Sequence, residues 1–214
     1  MQSTIVQRRG SAVSPAWWLV TLLCWGVAAW SLTNYATFDA ARFFDEQRET
    51  YIQHWLVMYG HTLFAPLTLL IGPLQFHPGL RNRWPRVHRT SGMIYLAAVV
   101  ISGLGALSLA PVAYGYASTR IGFAALGVLW LGSAAIALYS IKRGDVDAHR
   151  RWMMRNFSLT FAAVTLRLWL PVLMSLDVSF DVTYAIAAWS SWVPNLIAME
   201  MLLRRSAKLQ PVTA

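Results

Sequence analysis

The sequence predicts an all-α integral membrane bundle of six transmembrane helices with both termini cytoplasmic, and three observations carry that reading. Among 214 residues, 57% are hydrophobic and only 13% are charged, whereas a soluble domain carries about 25% charged residues. The apolar residues gather into six continuous blocks, the arrangement expected when the solvent is lipid. Charge alternates in sign along the connections between those blocks.

The blocks fall at about 17–32, 52–76, 92–110, 121–141, 152–174 and 183–203. Each holds roughly the 20 residues that cross a ~30 Å hydrocarbon core. They are continuous rather than alternating, which excludes barrel strands. Residues 1–16 and 204–214 are read as cytoplasmic tails flanking a single domain at 17–203. The first block follows Arg8 and Arg9, but it holds Trp17, Trp18, Trp25 and Trp30 and ends without a small-residue cleavage site. It is expected to stay as an uncleaved anchor.

Orientation follows from the loops. Arg8 and Arg9, then Arg81, Arg83, Arg86 and Arg89, then Lys142, Arg143, Arg150, Arg151 and Arg155, and finally Arg204, Arg205 and Lys208 all fall on one side of the alternation. The intervening connections carry Asp39, Asp45, Glu46 and Glu49, and then Asp177 and Asp181. By the positive-inside rule the basic side is cytoplasmic. The net charge of +9 therefore belongs beside anionic lipid. The expected partners are the bilayer and a membrane protein or second copy of this chain, with no nucleic acid. The lone Cys24 excludes an intrachain disulfide and a CxxC motif.

An ionisable side chain inside a span costs at least about 2.5 kcal/mol, so each one needs a reason. His61 in the second block, Arg167 in the fifth, and Ser190 and Ser191 in the sixth all lie roughly 10–14 Å below the outer interface at 1.5 Å per residue. Proline removes the helical bond to the carbonyl four residues earlier. Pro66 thus frees the carbonyl of Thr62, Pro171 that of Arg167, and Pro194 that of Ser190. Unpaired carbonyls survive at this depth only beside protein, water or ligand. His61, Thr62, Arg167 and Ser190 are therefore expected to wall a polar pocket in the outer half. The same residues allow another role, in which Arg167 bonds the freed carbonyls and fixes the packing, or snorkels outward.

A second cluster lies at the inner face. His88 and His149 are each followed by arginine, and Glu200 lies near the inner end of the sixth block. Two histidines on different helices can hold haem iron from opposite faces, with arginines on its propionates. They can equally be interfacial residues beside lipid phosphate. No metal site is expected beyond haem iron at His88 and His149. His54 and His77 fall at helix ends, and no HExxH, Walker, GxSxG or GxGxxG sequence is present.

Several runs carry a family resemblance: Gly72-Pro73-Leu74-Gln75-Phe76, His88-Arg89 leading to Gly92 and Tyr95, His149-Arg150-Arg151-Trp152-Met153, and 159–167 ending in Arg167. They resemble a bacterial membrane family known as domain of unknown function 2306, whose pattern includes histidines matching His61, His88 and His149 and an arginine matching Arg167. The resemblance covers about 53–200 and implies a bacterial cytoplasmic-membrane protein of this fold, with no activity attached. A looser similarity is to the dihaem transmembrane cytochromes b. This chain departs from them in having histidines for at most one bis-histidine haem.

Three functions follow as alternatives: a redox protein holding one haem b or a quinone, a carrier or binding protein for a small anionic solute, and a non-catalytic assembly subunit. The haem form predicts a Soret band in detergent-purified protein that disappears in His88→Ala. Colourless protein from haem-replete cells removes that form.

Overall fold

In the computed structural model, which describes residues 14–208, every regular element is helical. Two short helices, α2 (Arg48–Gln53) and α4 (Pro78–Arg83), lie in connections. The long ones are α1 (Pro15–Tyr35), α3 (Trp55–Gln75), α5 (Pro85–Leu109) and α6 (Ala117–Lys142). Two further pairs, α7 (Val146–Thr160) with α8 (Ala162–Met174) and α9 (Phe180–Ser190) with α10 (Val193–Lys208), each make one interrupted rod. Six helical segments are therefore long and apolar enough to span a membrane: Pro15–Tyr35, Trp55–Gln75, Pro85–Val112, Ala117–Lys142, Val146–Met174 and Phe180–Ser206. Arg8, Arg9 and the side chain of Lys208 lie outside the described residues.

Local chemistry sets the ends. Ser14 caps α1, with Pro15 in the first turn where its missing N–H costs nothing. The Asp145 carboxylate caps α7 through the Ala148 N–H at 2.8 Å. Gly144 adopts φ +80°, which lets Asp145 N bond back to the Ser140 carbonyl and close α6. The Arg-rich segments continue as helix rather than loop. Span three begins at Pro85, so His88 lies inside it, and span five begins at Val146, so His149 lies in its first turn. Span two starts later than its apolar block, because the chain turns at His54 (φ −113°, ψ 32°).

The outside of the bundle is apolar, with Leu19, Leu56, Val100, Leu104, Val128 and Val172 all exposed. The inside is built on close approach. Ala98 and Ser102 of α5 are buried against α3, and the Ser102 hydroxyl donates to the His61 carbonyl at 3.1 Å. A methyl group on Gly105 would sit 2.6 Å from the Val57 carbonyl oxygen and 2.9 Å from the His61 nitrogen. Ala98, Ser102 and Gly105 thus form a packing face on α5, with Gly105 at the tightest point. Span one hangs on span two through two indole donors, Trp17 Nε1 to Pro73 O (3.0 Å) and Trp25 Nε1 to Leu70 O (3.1 Å).

Gly105→Ala is expected to lower bundle stability by about 1–3 kcal/mol, since the obstructing atoms are backbone. Gly132→Ala, where nothing lies within 4 Å, is expected to be neutral or slightly stabilising. Unfolding in detergent measures both.

Candidate functional site

Spans five and six are each broken partway through, and the two breaks are tied together. Span five breaks at Phe161, where α7 ends and α8 begins. Span six breaks at Ser191–Trp192, just before Pro194. The Thr165 hydroxyl donates to the Ser191 carbonyl. The Asn195 amide donates to the same carbonyl at 2.8 Å and to Thr165 Oγ1 at 3.0 Å. The Ser191 carbonyl, exposed at a break where lipid cannot satisfy it, is met by Thr165 of the neighbouring span and Asn195 of its own.

A cavity of about 240 Å³ lies beside these breaks, lined by residues of all six spans. His61, Thr62 and Arg167 all line it, in the half of the bundle away from the basic loops. Ser190 does not, since the break turns Ser191 to the cavity in its place, while Ser190 Oγ is buried without a partner. Small residues such as Ala106, Gly127 and Ala163 leave the space open.

Arg167 is unlike the other cations. Its Nη1 donates to the Ala163 carbonyl of its own helix at 2.8 Å, and its Nε is buried without a partner. The guanidinium stacks over the Trp30 ring, 4.8 Å from the centroid. All nine acidic residues of the chain lie within the described region, and none comes within 4 Å of it: the ion pairs are Arg42–Asp39, Arg48–Asp45 and Arg155–Glu200. Its polar neighbours are phenols. Tyr35 and Tyr184 line the cavity from spans one and six, and Tyr51 reaches it from α2. Burial pushes the Tyr51 hydroxyl well above the usual tyrosine range, with Tyr184 and Tyr35 adding to the effect and Arg167 opposing it. Tyr51 therefore stays a neutral donor and supplies no counter-charge.

His61 is held in one tautomer. Its Nδ1 lies 3.0 Å from the Ser102 carbonyl and 2.9 Å from the Ser102 hydroxyl. The carbonyl only accepts and the hydroxyl gives its own proton to the His61 carbonyl, so Nδ1 carries the proton. Nε2 then presents a lone pair and has no partner among the described residues.

The cavity has a floor and a roof that the sequence did not reveal. The floor is a buried network in which Tyr95 OH donates to Asn156 Oδ1 (2.7 Å) and lies 2.8 Å from Thr160 Oγ1. Trp130 Nε1 donates to Thr160 Oγ1 (2.8 Å), and the Asn156 amide donates to Trp130 O and Ser133 Oγ. The signal available was an asparagine in a span, where every polar group needs a partner. The roof is the first acidic connection. There Phe43 stacks on Tyr35 (5.8 Å), Phe44 packs on Tyr184 (6.1 Å), and Gln47 is buried.

At the basic end, His149 Nδ1 donates to the Ala137 carbonyl at 2.9 Å, and His88 Nδ1 is buried without a partner. Glu200 pairs with Arg155 through two bonds of 2.5 and 3.0 Å. His77 caps α4 by accepting from Gly79 and Leu80 N–H, and His54 Nδ1 meets the Thr50 carbonyl, so both serve helix ends. No group of three or more metal-binding side chains occurs among the described residues.

These positions can be set against known proteins. The family model described as "Predicted membrane protein (DUF2306)" matches residues 58–203, well over half of the chain. The chain belongs to that family. The matched segment holds His61, His88, His149 and Arg167 but not the first span, so Ser31 and Tyr35 meet the cavity from outside it. No curated protein matches, and no solved structure does.

Asn156→Leu removes the centre of the floor network. It is expected to cost about 1–2 kcal/mol, read as a lower unfolding midpoint in detergent.

Proposed function

We propose that this multi-pass membrane protein binds a small molecule with an apolar body and one anionic oxygen group in the central cavity, with Arg167 as the counter-charge. The observation that carries the reading is the cavity-lining guanidinium that no carboxylate approaches. A cation with no opposite charge in a low-dielectric site is costly unless something else supplies that charge. If Arg167 only fixed the packing, it would reach across to carbonyls freed on other helices. Its hydrogen bond goes instead to Ala163 on its own helix. Phenols at Tyr35, Tyr51 and Tyr184 add neutral donors, and the remaining walls suit an apolar body. The volume equals about eight waters of liquid, about enough for a compact acid of ten non-hydrogen atoms. Interrupted spans exposing positive charge at depth are a recurring basis for anion sites in carriers. The reading includes a cytoplasmic basic end, as the loop arginines favour, in a bacterial inner membrane.

A second reading concerns the basic end and rests on His149. With Nδ1–H held by the Ala137 carbonyl, its Nε2 is oriented as ligating histidines are, and His88 on span three would be the opposing haem ligand. The spectrum described above tests it.

The cavity reading predicts that octanoate, but not 1-octanol, raises the melting temperature of the protein in nanodiscs. Arg167→Gln is expected to weaken octanoate binding at least tenfold, and Arg167→Lys less. Equal stabilisation by acid and alcohol, unaffected by Arg167→Gln, overturns the reading.

A further inference from the structure

The cavity is bounded by side chains towards each end of the bundle and thin on one side. Towards the basic end the Tyr95–Asn156–Thr160–Trp130 network fills the bundle. At the other end Phe43 and Phe44 pack on Tyr51 and Tyr184, which line it. Laterally, span one packs along span two and meets span five at only a few residues. At that seam the Trp30 ring lies over Arg167, and Trp30 is 50% exposed on the lipid-facing side of the bundle. The Trp30 ring thus lies against the guanidinium on the side that faces the acyl chains. Trp30 is held by stacking, and its indole N–H makes no bond to the protein, unlike those of Trp17 and Trp25.

This location restricts what can arrive. A molecule dissolved in hydrocarbon is neutral, because carrying a free charge there is prohibitive. A molecule bound to Arg167 is best stabilised as an anion. The change from one form to the other needs a base inside the cavity, and the base must have a free lone pair. His61 Nε2 meets that requirement, since Nδ1–H is committed to the Ser102 carbonyl. The titratable groups around the same cavity are Arg167 from span five, Tyr35 from span one, Tyr51 from α2 and Tyr184 from span six. Span three adds Tyr95, whose hydroxyl is committed to the floor network, and span four contributes none. None of these is a carboxylate, and each phenol has an ordinary value near 10, far from accepting a proton. His61 is the base on this list.

We infer that the cavity is loaded from the bilayer through the Trp30 seam, and that its ligand is a lipid-soluble carboxylic acid which leaves its proton on His61. This rests on the reading of the cavity as an anion site. The carboxyl O–H bond breaks, an N–H bond forms at His61 Nε2, and the carboxylate left behind pairs with Arg167. The proton thus stays in the cavity when the ligand is bound.

Carboxyl-¹³C octanoic acid, added to the full-length protein in phosphatidylcholine nanodiscs at pH 7.5 in weak buffer, tests both parts. Wild type is expected to show a bound, ionised carboxyl resonance together with uptake of about one proton per ligand bound. In His61→Gln that combination is expected to disappear, leaving either an ionised ligand without uptake or a protonated, more weakly held one. Trp30→Ala is expected to speed association several-fold, while Tyr51→Ala in the roof leaves the rate unchanged. An ionised ligand without proton uptake in wild type overturns the proton transfer, and so does the wild-type pattern persisting in His61→Gln. Acceleration by Tyr51→Ala and not by Trp30→Ala overturns the lateral route. Loss of the anion site itself would appear separately, as binding indifferent to Arg167→Gln.

Discussion

Two spans broken at similar depth would each leave carbonyls that lipid cannot satisfy, and the bundle holds because each break lies against the other. Asn195 and Thr165 both donate to the Ser191 carbonyl, and Asn195 also donates to Thr165. The position of Arg167 follows from this joint. It lies in the half-helix α8 that begins just past the Phe161 break, and the joint fixes how that half-helix is turned relative to span six. The buried Asn156 and Thr160 lie just before the same break and anchor α7 to spans three and four. One interruption therefore organises both the floor of the cavity and its charge.

The close approach of α3 and α5 has a related effect. With no methyl group at Gly105 the two backbones come near enough for Ser102 to meet His61 at both the backbone and the ring. The contact that packs the helices also decides which ring nitrogen bears the proton. Packing and chemistry are specified there by the same few atoms.

The parts of the molecule that lipid constrains most strongly were the most legible in the sequence. Six apolar blocks gave six spans, with the ends shifted by a few residues. His61, Thr62 and Arg167 could be grouped in advance, because polar residues at a common depth in different helices have few other places to turn, and the structure lines one cavity with them. Ser190 was displaced by its neighbour Ser191 because the rotation at a helix break cannot be read from depth alone. The Phe161 break has no proline within four residues after it, so no local signal marks it. Asn156 was a weak signal because it adjoins Arg155 near an expected membrane surface, which masks its need for a buried partner. The fold of the first connection depends on long-range aromatic contacts from Phe43 and Phe44 to spans one and six, and composition records it only as a polar loop.

The wall formed by the first span stands apart from the rest. It contributes Val27, Ser31 and Tyr35 to the cavity lining and Trp30 to the seam, yet it precedes the segment that defines the family. Its attachment to span two runs through indole donors and backbone carbonyls, so the carbonyl side of that attachment survives most changes of side chain on span two. A helix joined in this way can diverge between relatives without disturbing the five spans behind it. Within such a family, chemical selectivity could be inherited separately from the scaffold: a charged centre inside the family segment paired with an exchangeable shutter outside it, each free to evolve at its own pace.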